Sequence, residues 1–206
     1  EVVLEYHKQE LPNYEVFDEK RYFSPGKGPG IFAIGDHKLA LTVCEDIWHT
    51  KAVRQASRRG ADLILNLNAS PFHLNKLNER KEMISGHSQR YKLPIVYINQ
   101  VGGQDELVFD GTSMIMDKHG QQVMQLKKFE SESRIIKFKK SGESGLDILD
   151  SDKLQEENEL EDVYKALVLG AKDYIEKNGF PGVLIGSSGG IDSALTAAIA
   201  ADAIGP

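Results

Sequence analysis

Residues 61–67 read Ala61-Asp62-Leu63-Ile64-Leu65-Asn66-Leu67, a nearly continuous apolar run. A strand covered on both faces reads this way, whereas a half-solvated strand alternates. Just upstream, residues 50–59 predict a short basic helix closed by Gly60. Before it, residues 31–43 (IFAIGDHKLALTV) predict two strands joined by a Gly35-Asp36 turn, with Cys44 at the end of the second. Downstream, residues 74–92 are charged and helical, and residues 94–100 (PIVYINQ) predict the next buried strand. Residues 112–117 (TSMIMD) predict one more. Strands alternating with helices predict an α/β layered fold.

The pattern changes over residues 127–152, which are rich in Lys, Glu, Ser and Gly. An edge strand is predicted at Arg134–Phe138, and the stretch reads as a domain boundary or surface connection. A long helix follows, with Leu160, Val163, Tyr164, Leu167, Val168, Ala171, Tyr174 and Ile175 on one apolar face, closed by Asn178-Gly179. Gly182-Val183-Leu184-Ile185-Gly186 then predicts a short buried strand. It runs into Ser187-Ser188-Gly189-Gly190-Ile191-Asp192-Ser193 and an alanine-rich helix at Ala194–Ala203.

The 206 residues carry a net charge of -6 with 40% hydrophobic and 27% charged residues. That balance suits a globular chain and leaves no basic footprint for nucleic acid or an anionic membrane. No apolar run reaches the roughly 20 residues a membrane helix needs. The single cysteine, Cys44, allows no internal disulfide and fits a reducing, cytoplasmic setting. The six histidines show no metal-ligand spacing. The chain opens on Glu1 inside the run Val2-Val3-Leu4 and stops at Gly205-Pro206, so it reads as a piece of a longer protein.

A lone cysteine is usually a small buried hydrophobe. Amide hydrolysis by a thiol needs more: a thiolate, a proton donor for the departing amine, and donors for the oxyanion. A free thiol has a pKa of about 8.5, so a nearby cation is needed to make much thiolate at neutral pH. Lys8 could supply that charge, and the backbone N–H after Cys44 a second oxyanion donor.

Four blocks stand in order: HKQELPNY at 7–14, VFDEKRYF at 16–23, TVCEDIW at 42–48 and NLNASPF at 66–72. Together they resemble the nitrilase superfamily, and within it the glutaminase domain of glutamine-dependent NAD synthetases. The resemblance implies a Glu-Lys-Cys triad with Cys44 as nucleophile and Lys8 as the lysine. It also implies that Tyr14, Phe17 and Glu19 line the glutamine pocket, with Ser70 and Lys76 at the amino-acid end of the substrate. The triad glutamate lies ahead of the lysine in that family, and no position before Lys8 matches it. The 206 residues alone are therefore expected to be a poor glutaminase. The Gly-rich segment from Asn99 to Gly111 is family-like too and is expected to border the pocket.

The second motif makes an anion site from backbone alone. Glycines let amides face a phosphate, and the following helix N-terminus favours negative charge. Ser188 and Ser193 add hydroxyls, and Asp192 can hold Mg²⁺ beside phosphate oxygens. Neither a Walker A ending nor the Rossmann glycine pattern fits. Gly186-Ser187-Ser188-Gly189-Gly190-Ile191-Asp192-Ser193 resembles the pyrophosphate loop of N-type ATP pyrophosphatases, and the helix after it is most similar to NAD synthetases.

The resemblance implies part of an αββα sandwich over residues 1–140, a linker at 141–152, and from 153 to 206 the first helix–strand–helix of a Rossmann-like ATP pyrophosphatase domain. The implied reaction converts deamido-NAD, ATP and glutamine into NAD, AMP, pyrophosphate and glutamate, with Mg²⁺ and within a homo-oligomer. Two alternatives stay open: an amidase fused to a different ATP pyrophosphatase, and an inactive piece that serves assembly.

Overall fold

The computed structural model describes residues 1–14, 16–142, 145–152, 154 and 158–205. The expected domain start at residue 153 lies outside them. The described residues among 1–18 lie in no helix or strand and lead to a single helical turn, α1 (Glu19–Tyr22). Then come β1 (Gly30–Ile34) and β2 (His37–Val43), a 3-10 turn at Cys44–Trp48, and α2 (Thr50–Arg58). They are followed by β3 (Leu63–Asn68), α3 (Lys76–Tyr91) and β4 (Ile95–Asn99). A small hairpin, β5 (Val101–Gln104) and β6 (Leu107–Asp110), leaves the sheet before β7 (Met114–Met116) and β8 (Gln122–Gln125). A second hairpin joins β9 (Phe138–Lys140) to β10 (Leu146–Ile148), and two helices end the chain, α4 (Glu159–Lys177) and α5 (Ile191–Ile204).

The main sheet has the order β1-β2-β3-β4-β7-β8. Its centre is parallel, Leu39 pairing with Leu63 and Ile64 with Ile95, and its flanks are antiparallel. β3 sits mid-sheet, which is why its sequence runs apolar on both faces. One face carries α2 and α3: Ala40, Ile64, Ile95, Tyr97 and Met114 pack there with Val53, Ala56 and Ile84. The other face presents Leu39, Leu63, Val96, Ile115 and Met124, met by Leu146 and Phe138 of the second hairpin. This is the α/β class the sequence predicts. Among the described residues it supplies one sheet of a sandwich with one helical layer.

Two expectations need correction. The edge strand expected at Arg134–Phe138 lies at Phe138–Lys140, where Phe138 pairs with Ile148. Ser141 and Gly145 close this hairpin, so the predicted linker contains a strand. The buried strand expected at Gly182–Gly186 is not a strand, and Val183, Leu184 and Ile185 are exposed. A strand needs a neighbour to take its N–H and C=O groups. No described strand lies beside this segment, so its apolar side chains stay in solvent.

The last helices are not free-standing. Asp173 of α4 accepts from Gly103 N at 2.7 Å, and Lys177 Nζ donates to Gly103 O at 2.6 Å. A long helix from the second predicted domain thus grips the β5–β6 hairpin of the first.

Candidate active site

The parallel strands β2, β3 and β4 end on one edge of the sheet, where ligand clefts form in such folds. Cys44 follows β2, Ser70 follows β3, and Asn99 ends β4. Cys44 has φ +45, a left-handed conformation that a residue with a Cβ adopts at a cost of order 1–3 kcal/mol. The strain turns the chain sharply from β2 into the 3-10 turn and leaves the thiol half-buried beside a cavity of about 220 Å³.

Tyr14, Phe17, Cys44, Glu45, Ser70 and Lys76 line that cavity, and Leu107 of the β5–β6 hairpin closes part of its wall. Lys8 and Glu19 stand behind the thiol. Lys8 Nζ donates to both Glu19 oxygens at 2.7 Å, in a pair largely shielded from water. Burial pushes the Cys44 thiol above its ordinary range; the Lys8 charge and the Ala69 amide pull it back, while Glu45 and Glu19 oppose them. His49 turns to Glu45, Nε2 to Oε1 at 3.3 Å, rather than serving the thiol.

All seven residues expected at the thiol site therefore meet in one place, five on the cavity wall and two behind Cys44. Three further residues give no sequence signal of their own. Glu45 lines the cavity and accepts from Tyr14 Oη at 2.8 Å. Lys76 Nζ lies 4.2 Å from the centre of the Trp48 ring and 3.0 Å from Glu79.

Arg80 is fully buried. Its guanidinium forks onto Asp110 with two 2.9 Å bonds and donates to the Ser70 carbonyl at 2.8 Å and to Ser70 Oγ. Asn99 accepts from Ser70 N at 2.8 Å. This network fixes Ser70, and through Asp110 it anchors the base of the hairpin that carries Leu107. Asp46 is also fully buried, with four donors on its carboxylate.

The second motif is built differently. Gly189 has φ +80, and the loop leads into α5. Ser193 Oγ donates to Gly190 O at 3.0 Å and takes Ser188 N at 3.3 Å, while Ser188 Oγ takes Gly190 N at 3.4 Å. Gly186–Asp192 are all exposed, with Asp192 in the first turn of α5. A serine-stapled turn before a helix suits phosphate oxygens, and Asp192 is the carboxylate at its helix start. Among the described residues no cluster of three or more His, Cys, Asp or Glu side chains could hold a metal by itself. No described helix is long and apolar enough to cross a membrane.

Comparison with known proteins follows the same division. The carbon-nitrogen hydrolase family model matches residues 1–140, and the NAD synthase model matches residues 163–206. The glutamine-dependent NAD(+) synthetase of Acinetobacter baylyi is 43% identical over 97% of this chain, which covers 36% of that protein. The solved glutamine-dependent NAD+ synthetase of Acinetobacter baumannii, in complex with ADP, superposes with a TM-score of 0.88 at 44% identity, over 97% of this chain and 38% of its own. An amidase of the nitrilase superfamily from Nesterenkonia AN1 superposes with a TM-score of 0.53 at 28% identity, over 59% of this chain and 45% of its own. Another structure of that amidase shows an acetamide moiety added covalently at its active site cysteine. The chain thus spans well under half the length of the synthetases it matches. On its sheet, its cysteine turn and a family match that runs through both, it belongs to the carbon-nitrogen hydrolase family.

Proposed function

We propose that this chain carries the thiol centre of a glutaminase and the pyrophosphate loop of the synthetase it feeds, together making NAD from deamido-NAD, ATP and glutamine. The observation that carries the reading is Cys44. It sits strained at a strand end, with the Lys8–Glu19 pair behind it and a cavity in front that has an acid, Glu45, on one wall and a base, Lys76, on another. Free glutamine has a carboxamide at one end and an ammonium and a carboxylate at the other. Glu45 suits the ammonium, and Lys76 with Ser70 suits the carboxylate. Tyr14 and Phe17 then flank the methylene chain.

Cys44 Sγ attacks the carboxamide carbon. Lys8 Nζ and the Glu45 N–H receive the negative charge that grows on the oxygen. The C–N bond breaks with a proton delivered to the nitrogen, ammonia leaves, and a glutamyl thioester remains. Water then hydrolyses the thioester to glutamate and restores the thiol. The thiol proton needs a carboxylate acceptor. Glu19 is already engaged by Lys8, and Glu5 lies at the surface 3.1 Å from His7. A glutamate ahead of Lys8 completes the triad in the family resemblance, and the 206 residues by themselves should release little ammonia from glutamine. At the other site, Ser188, Gly189, Gly190 and Ser193 grip the departing pyrophosphate; Asp192 would hold Mg²⁺, which would offset charge on the phosphate oxygens. Ammonia then aminates the nicotinate carboxyl activated by adenylation. The working protein is a homo-oligomer of cytoplasmic type.

The test is Cys44→Ala in a full-length synthetase carrying these residues, following NAD formation from deamido-NAD and ATP. Loss with glutamine and survival with ammonium salt supports the reading. Survival with both makes Cys44 a core cysteine and ends it.

A further inference from the structure

We infer that Asp46 is a positioning residue of the thiol centre: its buried carboxylate fixes the Lys8 segment against the Cys44 turn. The inference rests on the reading of Cys44 as nucleophile and Lys8 as its cation.

Asp46 Oδ1 accepts from Gln9 N and Glu10 N, both at 2.9 Å. Its Oδ2 accepts from Val43 N at 3.0 Å and from Tyr6 Oη at 2.7 Å. Two oxygens offer about four acceptor sites, and all four are filled. The donors come from two stretches of chain. Gln9 directly follows Lys8, and Val43 directly precedes Cys44, so one carboxylate binds the neighbours of both reacting side chains.

The need for such a tie follows from the fold. The segment around Lys8 belongs to no strand, so no ladder of sheet hydrogen bonds sets its distance from β2. A buried carboxylate is costly unless its hydrogen bonds are complete, and a packed apolar side chain would hold a core more cheaply. Here the carboxylate offers what an apolar residue cannot, a directional grip on two main-chain segments. Burial first, and then the bond to Asp46, push the Tyr6 phenol above its ordinary range, so it remains a donor through neutral pH. On its other side the Lys8 segment meets Gly26, whose N–H donates to Lys8 O at 2.8 Å. A Cβ on Gly26 would lie 2.0 Å from His7 O.

The experiment uses a full-length synthetase with Asp46→Asn, and separately with Tyr6→Phe. An asparagine Nδ2 would face either the Gln9 and Glu10 amides or the Val43 amide and the Tyr6 hydroxyl, so at least one main-chain N–H loses its acceptor while the fold keeps an isosteric side chain. A displacement of about 1 Å at a reacting group costs roughly a hundredfold in rate. Asp46→Asn should therefore lower the kcat of glutamine-driven NAD formation by about 10- to 100-fold. Ammonia-driven formation should stay within about twofold, since it bypasses the thiol. Tyr6→Phe should act in the same direction and less.

The second readout is the pH dependence of Cys44 alkylation by iodoacetamide. The groups facing Cys44 are Lys8, Glu19, Glu45 and Tyr97. If Asp46 works by placing Lys8, its loss moves the cation away and the alkylation midpoint rises. If Asp46 were only a nearby negative charge, its loss would favour the thiolate and the midpoint would fall. A fall, an unchanged midpoint, or a parallel loss of glutamine-driven and ammonia-driven rates overturns the inference. Cys44→Ala run alongside separates the two levels. If that variant keeps glutamine use, the glutaminase reading itself fails and takes this inference with it. If it loses glutamine use while Asp46→Asn keeps it, only the positioning role fails.

Discussion

The chain contains two sharp turns that lead into helical structure, and they are held by opposite means. The Cys44 turn is walled in. Three buried charged residues serve its surroundings, Asp46 beneath it and the Arg80–Asp110 pair behind Ser70. The Ser188–Ser193 turn stands in solvent and is held by its own serine hydroxyls. A thiol that must meet a cation at a fixed distance needs a rigid surround. On the proposed reading, a loop that takes phosphate needs to be open to solvent, and its amides would exchange the serine hydroxyls for phosphate oxygens.

The contrast can be broken at several points. The largest effect belongs to the walled site: in a full-length synthetase carrying these residues, Cys44→Ala or Lys8→Met should lower glutamine hydrolysis by about a thousandfold or more, read as ammonia release. The same site has a signed pH dependence. Burial holds the thiol above its ordinary range with Lys8 opposing. Alkylation of wild type should therefore accelerate at pH values above those of a free thiol, and Lys8→Met should shift the profile further up.

Next comes the support. Arg80→Met leaves Asp110 buried without its cation, a loss of about 3–5 kcal/mol, measurable by urea denaturation. Gly120→Ala is smaller. Gly120 has φ +79, and an added Cβ would meet Gln89 Cγ at 2.5 Å and Ser85 O at 2.7 Å, a penalty of about 1–3 kcal/mol in the same assay.

The smallest effect on stability lies at the open turn. Ser193→Ala should change the unfolding free energy by less than about 0.5 kcal/mol while weakening ATP use in steady-state kinetics. A cost there equal to that of Arg80→Met would mean the loop is part of the packed structure after all, and the contrast would fall.

Much of the sheet was legible because burial on both faces writes itself as an unbroken apolar run, as in β3 and β4. The same signal misled at Gly182–Gly186. An apolar run states that a segment can be buried, not that a partner strand lies beside it, and here no described strand does. At Arg134–Phe138 the β-favouring Ile135, Ile136 and Phe138 come at or before the strand's first residue, while the strand itself runs on through Lys139 and Lys140, so composition could not set the register that pairs Phe138 with Ile148. Cys44, Lys8 and the cavity residues were legible through the order of their blocks. Asp46 and Arg80 were not, for a common reason. Each is one charge among charged neighbours, and such residues ordinarily face water. Only the fold shows that these two point inward. Glu45 escaped notice similarly, as one acid beside another.

The grip of α4 on the β5–β6 hairpin has a consequence for how this sequence can drift. A Cβ on Gly103 would lie 3.2 Å from both Asp173 Cβ and Gly170 Cα, and one on Gly170 would lie 3.0 Å from Val108 Cγ2. Gly103 and Gly170 stand 67 positions apart, in segments matched by different family models. Each is kept small by the other's neighbourhood. A side chain at either position would push the helix and the hairpin apart, so a replacement of either half would have to keep its glycine to preserve this seam.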